Sequence, residues 1–174
     1  MAGRERRLTY NPLPVSPEGG GEGATKDMTN DELKTLISAN ISEATFEESQ
    51  YLNATVPAEK LYSFAKEIRK ADYDYLVCVT GIDWKDHFVV AYHLQSRKTK
   101  HVFVLKVKIA DRVNPNIDTV CDIWRTAEFH EREVFDLFGI KFNNHPDLRR
   151  LFLDDTWGFP LRKDYTDDVT IVQL

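Results

Sequence analysis

Residues His130 to Tyr165 read HEREVFDLFGIKFNNHPDLRRLFLDDTWGFPLRKDY, and the second half of this run follows neither the 3.6-residue period of a helix nor the alternation of a strand. A stretch so rich in ionic groups, rings, Pro and Gly is costly to order by itself. Its charges need partners and its rings need cover, which points to a surface laid against another protein. From residue 140 onward 35 residues show little periodicity, whereas structureless stretches beyond about 12 to 15 residues are uncommon inside compact domains. Fully extended, they would reach about 100 Å, several times the radius of gyration of about 13 Å expected for a core of Thr29 to Gly139.

The 174 residues give room for one domain plus a tail, and an apolar fraction of 42% supplies one sizeable core. A net charge of −5 argues against a nucleic-acid surface, which needs a basic face. No apolar run is long enough to span a bilayer and the N-terminus lacks the apolar centre of a secretory signal, so the chain reads as soluble and cytosolic. Cys78 and Cys121 lie far apart, with no CxxC pair for zinc or an iron-sulfur cluster. Both read as core thiols of a reducing compartment.

Three segments follow from composition and pattern. Residues 1–27 hold five of the eight glycines and three of the seven prolines and read as a disordered leader. Residues 28–139 read as an α+β domain, a small, mostly antiparallel sheet with helices packed on it, and 140–174 as an extended, irregular, partner-binding tail. At the domain's start Thr29 and Glu32 have the spacing of a capping box and Met28 and Leu33 that of a hydrophobic staple, which predicts a helix from Asn30 to about Ser38. Leu52, Ala54 and Val56 alternate as in a strand. Pro57 then opens a helix with Leu61, Phe64, Ala65 and Ile68 on one face.

The nearly all-apolar run Tyr75 to Ile82 reads as a central strand covered on both faces. Phe88, Val90, Tyr92 and Leu94 share a face of a second strand, and Phe103, Leu105, Val107 and Ile109 a face of a third. Gln95 to Lys100 joins these two as a hairpin. A turn at Asn114 to Asn116 precedes a short helix around Asp118 to Trp124, and then a helix from about Phe129 to Phe138. Gly139 terminates it in a left-handed conformation that allows Ile140 to pack on Phe135, as in a Schellman ending.

On this last helix Val134, Leu137 and Phe138 form an apolar stripe for the sheet. Arg132 and Asp136 stand one turn apart and are placed to pair, leaving Glu131 and Glu133 for neighbours. His130 and Glu131 begin like the HExxH zinc motif, but Val134 occupies the second histidine's position. A hydrolase would draw its carboxylates from Glu131, Glu133 and Asp136, as any helix with three acids allows. His87, His93 and His101 read as strand-surface or core histidines with ordinary hydrogen bonds. No GxxxxGK, GxGxxG or nucleophile elbow offers a home to a cofactor. In the tail, Arg149, Arg150, Arg162 and Lys163 balance Asp147, Asp154, Asp155 and Asp164, and Trp157, Phe159 and Tyr165 are candidate aromatic anchors.

Four blocks stand in order here: ERE at Glu131 to Glu133, DLFGI at Asp136 to Ile140, HPDLRRL at His145 to Leu151 and PLRKDY at Pro160 to Tyr165. Together they closely resemble the family of the 30 kDa subunit, or C subunit, of proton-pumping NADH:quinone oxidoreductase, respiratory complex I. The resemblance is strongest in the C-terminal third. It departs at Phe159, where a histidine is usual, and at Phe152, where an aliphatic residue is commoner.

The resemblance implies a cofactor-free structural subunit of the peripheral arm that supports the D subunit, the neighbour that helps form the quinone site. Flavin, iron-sulfur clusters and quinone are then expected in other subunits. The expected place is the cytoplasmic side of the inner membrane, touched only through the complex. Catalytic and metal-ligating residues are expected to be none. The expected partner-interface residues are Glu131, Arg132, Glu133, Asp136, His145, Asp147, Arg149, Arg150, Trp157, Arg162, Lys163, Asp164 and Tyr165. Related subunits serve ferredoxin- or F420-linked dehydrogenases and membrane-bound hydrogenases, so the electron donor stays open.

Overall fold

The computed structural model describes residues 28–166, and the expected leader lies outside them. Helix α1 (Asn30–Asn40) begins where the capping box places it: Thr29 Oγ1 accepts from the Glu32 amide at 3.3 Å, and the Glu32 carboxylate accepts from the Thr29 amide at 3.0 Å. Leu33 and Ile37, one turn apart, are its buried face. Strands β1 (Thr45–Glu48) and β2 (Leu52–Pro57) follow. Pro57 closes β2, and a 3-10 turn (Ala58–Lys60) leads into α2 (Leu61–Lys70), whose buried residues are the expected Leu61, Phe64, Ala65 and Ile68.

β3 (Tyr75–Asp83), β4 (Phe88–Gln95) and β5 (Val102–Ile109) complete a five-stranded sheet in the order β1-β2-β5-β4-β3. The β2–β5 pair is parallel and the others antiparallel. The hairpin register sets Tyr92 against Leu105. This is the mostly antiparallel α+β sheet expected. All three helices contribute to one core on the face of Leu52, Ala54, Val56, Phe88, Val90, Tyr92, Leu94, Phe103, Leu105 and Val107.

β3 is an edge strand, not a central one: its apolar run leaves Tyr75 41% and Val77 42% exposed, with a bulge between Leu76 and Cys78. An unbroken apolar run reports low polarity, which an edge strand covered on one face also has. The expected helix over 118–124 is also replaced. Asn116–Asp118 is a short strand, β6, paired in parallel with Lys141–Asn143, β7, and turns at 121–123 follow it. Residues Ile140 and Phe142 thus belong to the core, and the boundary expected after Gly139 is bridged.

The histidines stand in separate settings. His93 Nδ1 meets Cys78 Sγ at 3.3 Å, His101 lies between the Tyr73 hydroxyl and Asn30, and His87 stacks on Trp84. Both cysteines are free and half-buried.

Candidate partner interface

Helix α3 (Ala127–Phe138) organises the charged motifs. It docks Val134 and Phe138 on the sheet, where Gly81 on β3 makes room: a Cβ there would lie 2.7 Å from the Phe138 ring. Its helix-capping residue, Thr126, turns its hydroxyl away to donate to the Leu76 carbonyl at 3.1 Å, fixing the helix start to the edge strand.

Three ionic residues of α3 stitch neighbouring segments to it, and all three are buried. Glu131 accepts from the Thr119 hydroxyl, the Val120 amide at 2.9 Å and the Cys121 thiol at 3.2 Å. Burial pushes its carboxyl up to about 7 in spite of these three donors. Arg132 does not pair with Asp136. Its Nε and Nη2 donate to the carbonyls of Arg149 and Arg150 at 3.1 and 2.9 Å, and Asp147 stands 3.8 Å away.

Asp136 accepts from three consecutive amides, Leu151, Phe152 and Leu153, at 3.1, 2.7 and 3.0 Å, and from Arg150 Nη1 at 2.9 Å. Burial works to raise its carboxyl, but these donors outweigh it and hold it below the usual carboxylate range. A carboxylate fully enclosed by donors is satisfied only as the anion.

The end of α3 is capped by the same segment, an irregular ribbon from His145 to Tyr165. Gly139 sits at φ 71°, and its amide donates to the Phe135 carbonyl at 2.8 Å, the single bond of the αL motif where a Schellman pair was expected. The Leu161 amide donates to Leu137 O at 3.2 Å and Arg162 Nε to Phe138 O at 2.5 Å, so carbonyls orphaned at the helix terminus find donors about 24 residues later. A further buried carboxylate, Asp83 at the end of β3, pins the far end of the ribbon. It accepts from both terminal nitrogens of Arg112, from the Lys85 amide at 2.7 Å and from the Lys163 amide at 2.9 Å. Against the raising effect of burial, Arg112 and the two amides hold its carboxyl well below its ordinary value.

These contacts correct part of the expected interface. Glu131, Arg132 and Asp136 are buried inside the chain, as is the His145 side chain, whose Nδ1 accepts from the Asp147 amide and whose Nε2 faces the Glu128 carbonyl, both at 3.0 Å. Arg150 is mostly covered too, with carbonyls of Trp157 and Gly158 on its outer nitrogen. The ribbon wraps its own helix because buried backbone groups and ions must be satisfied wherever donors are nearest.

What remains reachable is a mixed surface. Arg149 pairs with Asp147 at 2.9 Å and stays exposed, Asp164 lies 3.2 Å from Arg112, and Lys163 Nζ stands 5.8 Å over the Trp84 ring. Glu133 is half-exposed beside His130, and Tyr165 packs its ring against Gly158. Phe152 is 68% exposed, Phe129 59%, Leu161 52% and Trp157 43%. Sequence reasoning missed Asp83, Arg112, Trp84 and Phe129 here. Trp84 alone, a large ring in the polar turn Asp83 to His87, carried a local signal.

The donor atoms of Cys121, Glu131 and His145 lie within 4.8 Å of one another, the set of three such groups found among the described residues. Both ring nitrogens of His145 are already engaged, and burial pushes the Cys121 thiol up to about 12, away from the thiolate a metal would need. As folded, the three form a hydrogen-bonded knot between α3, the segment after β6 and the ribbon.

A profile of the family described as "Respiratory-chain NADH dehydrogenase, 30 Kd subunit" matches residues 54–169, a span that takes in most of β2, the strands β3, β4 and β5, α3 and the ribbon. The chain belongs to this family. It is 43% identical over 122 residues to the C/D subunit of an NADH-quinone oxidoreductase of Phocaeicola vulgatus, covering 68% of this chain and 24% of that protein. It is 40% identical over 120 residues to the C subunit of an NADH-quinone oxidoreductase of Geobacter sulfurreducens, covering 66% of this chain and 74% of the relative. The chain thus spans about a quarter of the length of the C/D relative. Among solved structures, a chain of the membrane-bound sulfane sulfur reductase, an archaeal respiratory membrane complex, superposes with a TM-score of 0.68 at 26% identity, over 78% of this chain and 85% of that one.

Proposed function

We propose that this chain is a non-catalytic scaffold subunit in the peripheral arm of a proton-translocating NADH:quinone oxidoreductase. It holds a homologue of the D subunit, which helps form the quinone site, and flavin, clusters and quinone reside in other subunits. The observation that carries this reading is the state of the ribbon: Asp136 and Asp83 fasten it to α3 and β3, and the fastening presents Phe152, Trp157 and Leu161 outward on a rigid support, with Phe129 of α3 exposed as well. Aromatic anchors held rigid, with exposed charges around them, are what a protein partner requires. Relatives named C/D join the two subunits' names in one chain, which supports the D subunit as that partner.

Among the described residues no helix is long and apolar enough to cross a membrane, and a peripheral place on the cytoplasmic side, reached through the complex, fits that. The hydrolase reading loses two of its three carboxylates, because Glu131 and Asp136 are enclosed by their own donors, and Glu133 alone makes no carboxylate pair. A second reading, the equivalent subunit of a membrane complex with another electron donor, is favoured by the likeness to the sulfane sulfur reductase chain.

Affinity capture of the tagged full chain from membranes, followed by identification of the bound chains, tests both. A D-subunit homologue together with NADH-oxidising subunits supports the first reading, and that homologue without them the second. NADH oxidation by the purified chain alone would overturn the scaffold role.

A further inference from the structure

Three guanidinium groups and two phenyl rings alternate where the ribbon crosses the end of α3. Arg112 lies 4.5 Å from the centroid of Phe88, Arg162 lies 5.2 Å from the same ring and 4.8 Å from Phe159, and Arg150 lies 5.3 Å from Phe159. The two outer cations are neutralised within the chain. Arg112 has Asp83 and Asp164, and Arg150 has Asp136 at 2.9 Å.

The middle one is not. Among the described residues Arg162 forms no ion pair, and its one hydrogen bond runs from Nε to the Phe138 carbonyl. The helix terminus offers it a partial negative charge of about half a unit. Of five N–H donors, those on both terminal nitrogens are left without an acceptor in the described chain. Burial pulls its pKa below the usual arginine value; the more distant charge of Asp164 opposes this, Arg112 adds to it and Asp83 opposes it, and neither carboxylate is close enough to form an ion pair.

The guanidinium is also preorganised. It lies across Gly139, where a Cβ would come within 2.8 Å of Nη2 and 2.6 Å of the Phe159 ring, and stacking between two rings fixes its plane. A planar fork held in place loses little freedom on meeting a carboxylate, whose two oxygens match it. Leu161, half exposed, gives the site an apolar rim.

We propose that the terminal nitrogens of Arg162 receive an aspartate or glutamate carboxylate from the neighbouring subunit, the D-subunit homologue of the preceding reading on which this inference rests. The site selects a bidentate acid at one position, and the neutralised arginines beside it make the ladder rigid without competing for that acid.

The test measures binding of the full chain to the purified D-subunit homologue at several salt concentrations. Arg162→Lys keeps the charge and loses the fork, so it is expected to weaken binding about tenfold or more with only a small fall in melting temperature from the lost bond to the Phe138 carbonyl, and Arg162→Gln is expected to flatten the salt dependence and to lower the melting temperature as well. Arg97→Gln, at an exposed arginine of the β4–β5 turn that is outside the proposed interface, is expected to change little. Unaltered binding by Arg162→Lys overturns the inference and leaves the scaffold reading standing, whereas failure of the unaltered chain to bind overturns both. Asp167 and Asp168 follow closely in sequence. A double Asp→Asn variant there that lowers the melting temperature as Arg162→Gln does, with binding intact, assigns the acid to this chain and also overturns the inference.

Discussion

The β4–β5 hairpin and the ribbon from His145 to Tyr165 are both ordered, by opposite means. The hairpin buries Val90, Tyr92, Leu94, Leu105 and Val107 in one contiguous core, and its position follows from apolar area. The ribbon buries little apolar surface and hangs on two carboxylates, Asp136 and Asp83, that gather backbone amides. Apolar burial is spread over many residues and tolerates the loss of one. A carboxylate holding three amides and a guanidinium concentrates the same function in one side chain, and removing it strands all four donors.

The largest effect is therefore expected at Asp136→Ala, about 3 to 5 kcal/mol of lost stability. Hydrogen exchange should show its distribution: the amides of Leu151, Phe152 and Leu153 lose protection while those of β4 and β5 keep theirs. Leu105→Ala on the hairpin has an expected cost of similar or slightly smaller size, about 2 to 5 kcal/mol, but should raise exchange across the whole sheet. If both variants relax the same residues, the ribbon and the hairpin are one cooperative unit and the contrast fails.

The same contrast explains how legible the chain was. Helix α1 was readable from Thr29 and Glu32 and the hairpin from period-2 alternation, because both signals are local. The family motifs were readable as motifs, yet the role of their members was not. Arg132 and Asp136 have the spacing of a pair, and only the fold reveals that each faces the ribbon and spends its bonds on backbone groups 15 to 18 residues away. The short pairing of Asn116–Asp118 with Lys141–Asn143 was hidden for the same reason, since strand partners across the intervening 22 residues leave no trace in a local pattern. β3 was misplaced in the sheet because hydrophobicity does not encode strand order.

Glu131 sharpens the comparison from the side of pH. Its carboxyl is raised by burial from an ordinary 4.5 to about 7, so it differs in sign from Asp136. A raised acid contributes its stability fully below the unfolded value and loses it as pH rises through the folded one. The wild-type chain should therefore lose stability between about pH 4.5 and 7, with a ceiling of about 3 to 4 kcal/mol at about 1.4 kcal/mol per pH unit. Glu131→Gln, which has no proton to lose, should remove that slope. Denaturant melts of both proteins at intervals from pH 5 to 8 decide it, and parallel curves would mean that Glu131 is charged throughout. Asp136 has the opposite dependence. Its stabilisation is complete above the ordinary carboxylate range and is lost only as pH falls through its depressed value.

The smallest effect is expected at Tyr92, where hairpin and knot meet. Its ring is fully buried and its hydroxyl has no hydrogen-bond partner among the described residues. Burial above all holds the phenol well above its ordinary pKa, so it remains neutral. A buried hydroxyl without a partner costs about 1 to 3 kcal/mol of desolvation, and an apolar ring of the same shape removes that cost. Tyr92→Phe is thus expected to leave stability unchanged or to raise it by up to about 1 kcal/mol, measured by denaturant midpoint at constant slope. A clear loss instead would show that the hydroxyl bonds into the Glu131 knot. The hairpin would then share in the polar fastening of the ribbon, and the division drawn between the two regions would have to be moved to β4.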